Sequence, residues 1–159
     1  MEPCKLFPID KLISGGQTGA DRAALDWAID HDLPHGGWCP KGRLAEDGEI
    51  DLRYKLEETP SADYEQRTEW NVRDSDGTVI FTLKPELTGG SEFTRQMAFK
   101  HEKPLLHLCQ NDVCNYTQRL MTWVQENSIA ILNVAGTRIS EEPTICDFVN
   151  SVLDNQWIK

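Results

Sequence analysis

Apolar and polar positions follow two rhythms along this chain. Short continuous apolar runs at residues 9–13, 78–82, 105–108 and 129–135 read as buried strands of a parallel sheet. Between them apolar residues return at helical spacing. Residues 20–31 put Leu25, Ala28 and Ile29 on one helix face, with Ala24 and Trp27 beside them. Residues 63–73 form a polar helix whose start, Asp63 followed by Gln66, has the spacing of a capping box. Residues 91–101 read as a helix capped by Ser91, with Phe93 and Met97 inward. Residues 115–127 align Tyr116, Leu120, Trp123 and Val124. The last helix, 142–155, has Pro143 in its first turn and buries Ile145, Phe148, Val149 and Val152. Two weaker strands are expected at 35–39, where glycines intervene, and at 54–58, before Pro60.

Strands alternate with helices throughout, so the expected fold is α/β, a parallel sheet with helices on both faces. The 159 residues suit a single domain spanning 1–159. In such sheets ligands bind beyond the carboxyl ends of the strands. Four turns that follow strands belong to that rim: residues 15–21, 39–43, 88–94 and 136–140, together with the helix start at 64–68. The turn Asp74-Ser75-Asp76-Gly77 precedes a strand and falls at the opposite end, as a structural turn.

Two of the rim turns are rich in glycine and open helices. The first runs Gly15-Gly16-Gln17-Thr18-Gly19-Ala20-Asp21, the second Gly89-Gly90-Ser91-Glu92-Phe93-Thr94. Glycines let a ligand approach the bare backbone, and first-turn N–H groups favour an anion, most often a phosphate. The plain alternative is a tight turn without a ligand. Neither turn has the dinucleotide spacing G-x-G-x-x-G or the lysine of a P-loop. Lys41 and Arg43 stand where a dinucleotide fold would place an acid for the ribose, and they serve either an anion or a solvated turn. Arg67, Thr68, Gly136 and Arg138 complete the candidate donors, and Trp38 is expected beside them.

Composition narrows the partners. A net charge of −10 argues against extended contact with nucleic acid or anionic membrane. An anionic ligand must therefore be held by local donors. No apolar run reaches membrane-spanning length, and residues 1–10 lack a signal pattern, so a cytoplasmic location is expected. Cys4, Cys39, Cys109, Cys114 and Cys146 are odd in number and irregularly spaced, which suits buried thiols rather than disulfides or a zinc site. No metal site is expected.

Five segments in combination resemble the putative molybdenum carrier family. They are Gly15-Gly16-Gln17-Thr18-Gly19-Ala20-Asp21; Gly37-Trp38-Cys39-Pro40-Lys41-Gly42-Arg43; Arg67-Thr68 with Asn71-Val72 and Ser75-Asp76-Gly77-Thr78; Gly89-Gly90-Ser91; and Leu132-Asn133-Val134-Ala135-Gly136. That family is similar to molybdenum cofactor carriers and to lysine-decarboxylase-like (Lonely-guy) phosphoribohydrolases. The resemblance implies a Rossmann-like three-layer sandwich and a homodimer or larger assembly such as a homotetramer. It implies a carrier that binds the molybdenum cofactor, an anionic molybdopterin, at the glycine rim without chemistry. The candidate binding residues are Gly15, Gly16, Gln17, Thr18, Gly19, Asp21, Lys41, Arg43, Arg67, Thr68, Gly89, Gly90, Ser91, Thr94, Gly136 and Arg138. The alternatives are a nucleotide-sensing module and a nucleoside-phosphate hydrolase. The phosphoribohydrolases carry P-G-G-x-G-T-x-x-E. Aligned on Gly89-Gly90, this chain has Gln96 at the terminal acid, leaving Arg67 and Glu92 as the residues a hydrolase would use.

Overall fold

In a computed structural model, residues 8–111 and 115–154 are described. Cys4, Cys114 and the final residue of the expected last helix lie outside them. The elements run β1 (Lys11–Ile13), α1 (Ala20–Asp30), β2 (His35–Gly36), β3 (Trp38–Cys39), β4 (Leu44–Ala45), β5 (Gly48–Glu49) and β6 (Glu57–Glu58). They continue with α2 (Tyr64–Arg73), β7 (Gly77–Thr82), α3 (Gly89–Lys100), β8 (Leu105–Cys109), α4 (Tyr116–Glu126), β9 (Ile131–Gly136) and α5 (Ile145–Asp154). Among the described residues no helix is long and apolar enough to cross a membrane.

The central sheet has the order β2-β1-β9-β7-β8 and every pairing in it is parallel. Leu12 lies opposite Leu132, and Val79 opposite Val134. Successive side chains on a strand point to opposite faces, and here the two faces differ in chemistry. Val79, Phe81, Leu132 and Val134 join one core cluster with Leu25, Leu120, Val124 and Val149, from α1, α4 and α5. Phe81 meets Phe148 edge-on, with centroids 5.7 Å apart. The residues that alternate with these, Thr78, Ile80, Thr82 and Asn133, serve the other face, where α2 packs against α3. Asn133 Nδ2 donates to Thr78 Oγ1 at 3.1 Å. This second face is therefore partly polar at its centre.

Several expectations change. The expected strand at 35–39 breaks at Gly37, whose φ is +128°. A side chain there would strike the Ser14 backbone, so the chain passes close by and leaves the main sheet. β3 then pairs with β6, and β4 pairs with β5 as a hairpin between the two weaker strands expected from the sequence. The expected strand at 54–58 shrinks to β6. Asn71 holds β3 by accepting from Trp38 N (2.8 Å) and donating to Trp38 O (3.0 Å). Asp63 is the N-cap of α2 but its side chain makes no cap bond; Gln66 instead accepts from Ser61 N at 2.8 Å. Thr88, not Ser91, is the N-cap of α3, because the helix begins two residues earlier than expected. Its buried residues are Ser91, Thr94 and Ala98, with Phe93 and Met97 half-buried. Pro143 precedes α5 rather than opening it. The Asp74–Gly77 turn is structural, as expected: Asp76 Oδ2 accepts from Ala130 N and Ile131 N at 3.1 and 2.8 Å, pinning the start of β9.

Leu132 is fully buried at the centre of the sheet. Leu132→Ala should cost about 2–5 kcal/mol of unfolding free energy, the range for a buried leucine that leaves a cavity. Denaturant unfolding with an unchanged m-value checks this; a loss well under 1 kcal/mol would mean that the site collapses around the smaller side chain.

Candidate functional site

Three N–H groups of the first glycine turn are met within the chain. Gln17 N donates to Asp21 Oδ2 at 3.3 Å, Thr18 N to Gln17 Oε1 at 3.0 Å, and Ala20 N to Thr137 O at 3.1 Å. Asp21 thus sits in the first turn of α1, where the helix dipole favours a negative charge. At residues 16–20, where an external anion is expected, the chain itself takes up the N–H groups of Gln17, Thr18 and Ala20. The glycines of this turn answer to chain packing. Gly16 is covered by Leu56 and Ile50, and Gly19 by the backbone of Thr137 and Arg138. A Cβ at Gly15 would lie 2.8 Å from Arg67 Nη1 and 2.9 Å from its Cδ, so only glycine lets Arg67 lie there.

The second turn differs. Ser91 N and Glu92 N turn back to Thr88 O at 3.1 and 3.4 Å. The N–H groups of Gly89 and Gly90, at the head of α3, have no intrahelical acceptor. Both residues are exposed, and a Cβ on either would meet nothing within 4 Å.

A cavity of about 360 Å³ joins this turn to Arg67. The β1 loop supplies Gly15, Gln17 and Asp21 to its wall. Helix α2 adds Arg67 and Thr68, with Tyr64, Glu65 and Asn71. Helix α3 adds Gly89, Gly90, Ser91 and Thr94, with Phe93. β9 and the turn after it add Gly136 and Arg138, with Asn133, Val134, Ala135 and Glu141. The size is at the low end for small-molecule pockets.

Arg67 is 8% exposed. Its Nη1 donates to Gly15 O at 3.0 Å and its Nε to Thr68 Oγ1 at 3.1 Å, and the guanidinium lies 5.0 Å from the Tyr64 ring centroid. Among the described residues no acceptor pairs with Nη2. Burial pushes the Arg67 pKa down and Asp21 pulls it back up. Burial likewise pushes the Asp21 carboxyl above its ordinary value, and Arg67 pulls it down. Arg138 is held by Glu141, at 2.9 Å from Nε, and lies 3.8 Å from Glu46.

Gly16, Thr18, Gly19, Lys41 and Arg43 are not brought to the cavity wall. Arg43 donates to four carbonyls, of Ile50, Asp51, Tyr54 and Leu56, and so organises a loop instead of holding an anion. Lys41 is exposed. Glu92 is ion-paired with Arg95 outside the cavity. Trp38 also turns away: its Nε1 donates to Asp74 at 2.8 Å, and its ring stands edge-on to Trp70. Sequence reasoning left Asn133, Asn71 and Glu141 out of the site. Asn133 carried a readable signal as an amide inside an apolar strand, and Asn71 as the residue one turn beyond Arg67. Nothing marked Glu141.

The β4–β5 hairpin straps the two rim loops together. Glu46 accepts from Thr18 Oγ1 and from Ser140 N at 3.1 Å, and Asp47 pairs with Arg22 at 2.5 Å.

The sequence model of the circularly permutated YpsA SLOG family matches residues 12–157. A solved structure, the crystal structure of a putative molybdenum carrier protein from Syntrophus aciditrophicus SB, is 45% identical with a TM-score of 0.90. The match covers 93% of this chain and 94% of that one. No curated protein matches.

The strap should loosen in acid. Hydrogen bonds from Ser140 and Thr18 hold the Glu46 carboxyl below its usual range, and the Arg22 hydrogen bond does the same for Asp47. A depressed folded pKa gives stability that is complete above the unfolded value and lost as pH falls through the folded one. Amide exchange at residues 44–49, corrected for intrinsic rates, should stay constant down to about pH 4 and quicken below it. Protection that persists to about pH 2 would show that these carboxylates do not hold the hairpin.

Proposed function

This chain belongs to the circularly permutated YpsA SLOG family, and on that footing we propose that it is a carrier for a small phosphorylated anion. The observation that supports the reading is the pairing of Arg67 with the open first turn of α3 across one cavity. Arg67 offers a charged, planar donor fixed by the Gly15 carbonyl and Thr68. The Gly89 and Gly90 N–H groups offer the positive end of a helix dipole. A phosphate between them meets both. Asn71, Asn133 and the ring of Tyr64 are suited to the rest of a polar heterocycle. A phosphate-bearing pterin such as molybdopterin fits this chemistry, in keeping with the name of the 45% identical relative.

The hydrolase alternative has less support. Its candidate acid, Glu92, is already paired with Arg95, and Gln96 is exposed. An amide cannot act as general acid or base. Incubation with a panel of nucleoside monophosphates should therefore release no free base; turnover on the order of 1 s⁻¹ that disappears in Arg67→Ala would replace the carrier reading with a hydrolase.

Two variants test the binding site by calorimetry, with inorganic phosphate and with molecules that co-purify and are identified by mass spectrometry. Arg67→Ala should weaken binding by about 1.5–3 kcal/mol, the value of a charged hydrogen bond. Gly90→Val should abolish close approach to the α3 amides while leaving the thermal midpoint near wild type, because its Cβ enters open space. Undiminished affinity in Gly90→Val would move the ligand away from α3.

A further inference from the structure

Asp21 is a carboxyl built into the wall of an anion site. It is 8% exposed and lines the same cavity as Arg67, Gly90 and Ser91. The Gln17 N–H bonds one of its oxygens at 3.3 Å, and among the described residues Asp21 forms no ion pair within 4.0 Å. The α1 turn engages one carboxylate oxygen, and the group still adds a negative charge to a wall read as attracting anions. An acid facing an oxyanion has a use when one proton lies between them, because two negative groups sharing a site retain a proton.

The charged and polar groups around Asp21 come from every packed element. Arg67 comes from α2, as do Tyr64 and Glu65 on the cavity wall. Arg22 follows on α1, already engaged by Asp47 and the Gly16 carbonyl. Ser14 and Gln17 come from the β1 loop. Arg138 and Glu141, paired with each other, follow β9. Helix α3 contributes only neutral groups to the wall, Ser91, Thr94 and its amides. Arg67 is thus the buried cation that Asp21 and a ligand would share. It can balance one negative charge fully and not two.

We propose that Asp21 makes the cavity selective for oxyanions that carry a proton: phosphate or a phosphomonoester donates its O–H to the carboxylate, whereas sulfate and molybdate bring none. The inference rests on the anion reading above and sharpens it. Cargo is recognised through a phosphate group, and a bare metal oxyanion is turned away. A phosphomonoester keeps its second proton up to about pH 6 in water, and a carboxylate acceptor beside it extends that range. Burial also raises the carboxyl of Asp21 itself. As pH falls toward that raised value Asp21 takes up the proton from solvent, and anions without one regain entry.

Calorimetry of the full chain with inorganic phosphate, sulfate and molybdate tests this at about pH 8, where inorganic phosphate still carries a proton and sulfate and molybdate carry none. Phosphate should bind at least roughly tenfold more tightly than the other two, equivalent to one unit of pKa difference. Asp21→Asn, whose amide can donate, should narrow that gap by raising sulfate affinity. For the wild-type protein alone, sulfate affinity should rise as pH is lowered from about 8 and phosphate affinity should change less. This arm needs no variant and stands if Asp21→Asn does not fold. Equal affinity for the three anions at about pH 8, or a gap that survives in folded Asp21→Asn, overturns the role of Asp21 and leaves the anion site intact. Binding of none of the three overturns the anion site itself, and the inference with it.

Discussion

Arg67 Nη1 lies 3.0 Å from the carbonyl oxygen of Gly15, in a space that a Cβ on that residue would fill. This contact couples the end of β1 to the first turns of α2, two segments separated by 52 positions in the chain. A buried guanidinium is costly unless its donors are met. Here a backbone carbonyl and a threonine hydroxyl meet two of them, and the rest of the group is left for the cavity. The glycine at 15 therefore serves the arginine first and any ligand through it.

The two faces of the sheet divide the work of the fold. One face carries Val79, Phe81, Leu132 and Val134 under α1, α4 and α5. Burial of such side chains, at about 1.5–3 kcal/mol each, supplies the cohesion. The other face carries Thr78 and Asn133 and lies under α2 and α3. Polar groups there cost stability unless paired, and the cavity opens at the carboxyl end of the strands on that side. The site is thus placed where packing contributes least, and the apolar face compensates.

Charge is distributed with similar economy. The net charge of −10 opposes an anionic guest at long range. The chain also occupies one of its own helix N-termini with Asp21. The head of α3, by contrast, presents Gly89 and Gly90 to solvent. The carboxyl of the first turn is thereby part of the wall that faces the second.

Hydrophobic periodicity alone determined the alternation of strands and helices, the parallel sheet, and the strand ends that share a rim, because long apolar elements are set by local pattern. It also marked Arg67, Thr68, Gly89, Gly90 and Ser91 as rim residues, since position after a strand fixes position on the rim. It could not tell which glycine turn was open. Both read alike in one dimension, and the difference lies in Asp21 Oδ2 and Thr137 O, which fill the first turn from within the fold. Nor could it decide the fate of Arg43 and Trp38. Their partners at Tyr54 and Asp74 lie 11 and 36 positions away, and a side chain's direction depends on which loop folds over it. The short pairings of 38–39 with 57–58 and of 44–45 with 48–49 were illegible for the same reason: two-residue strands carry no period, and only the tertiary fold brings their edges together.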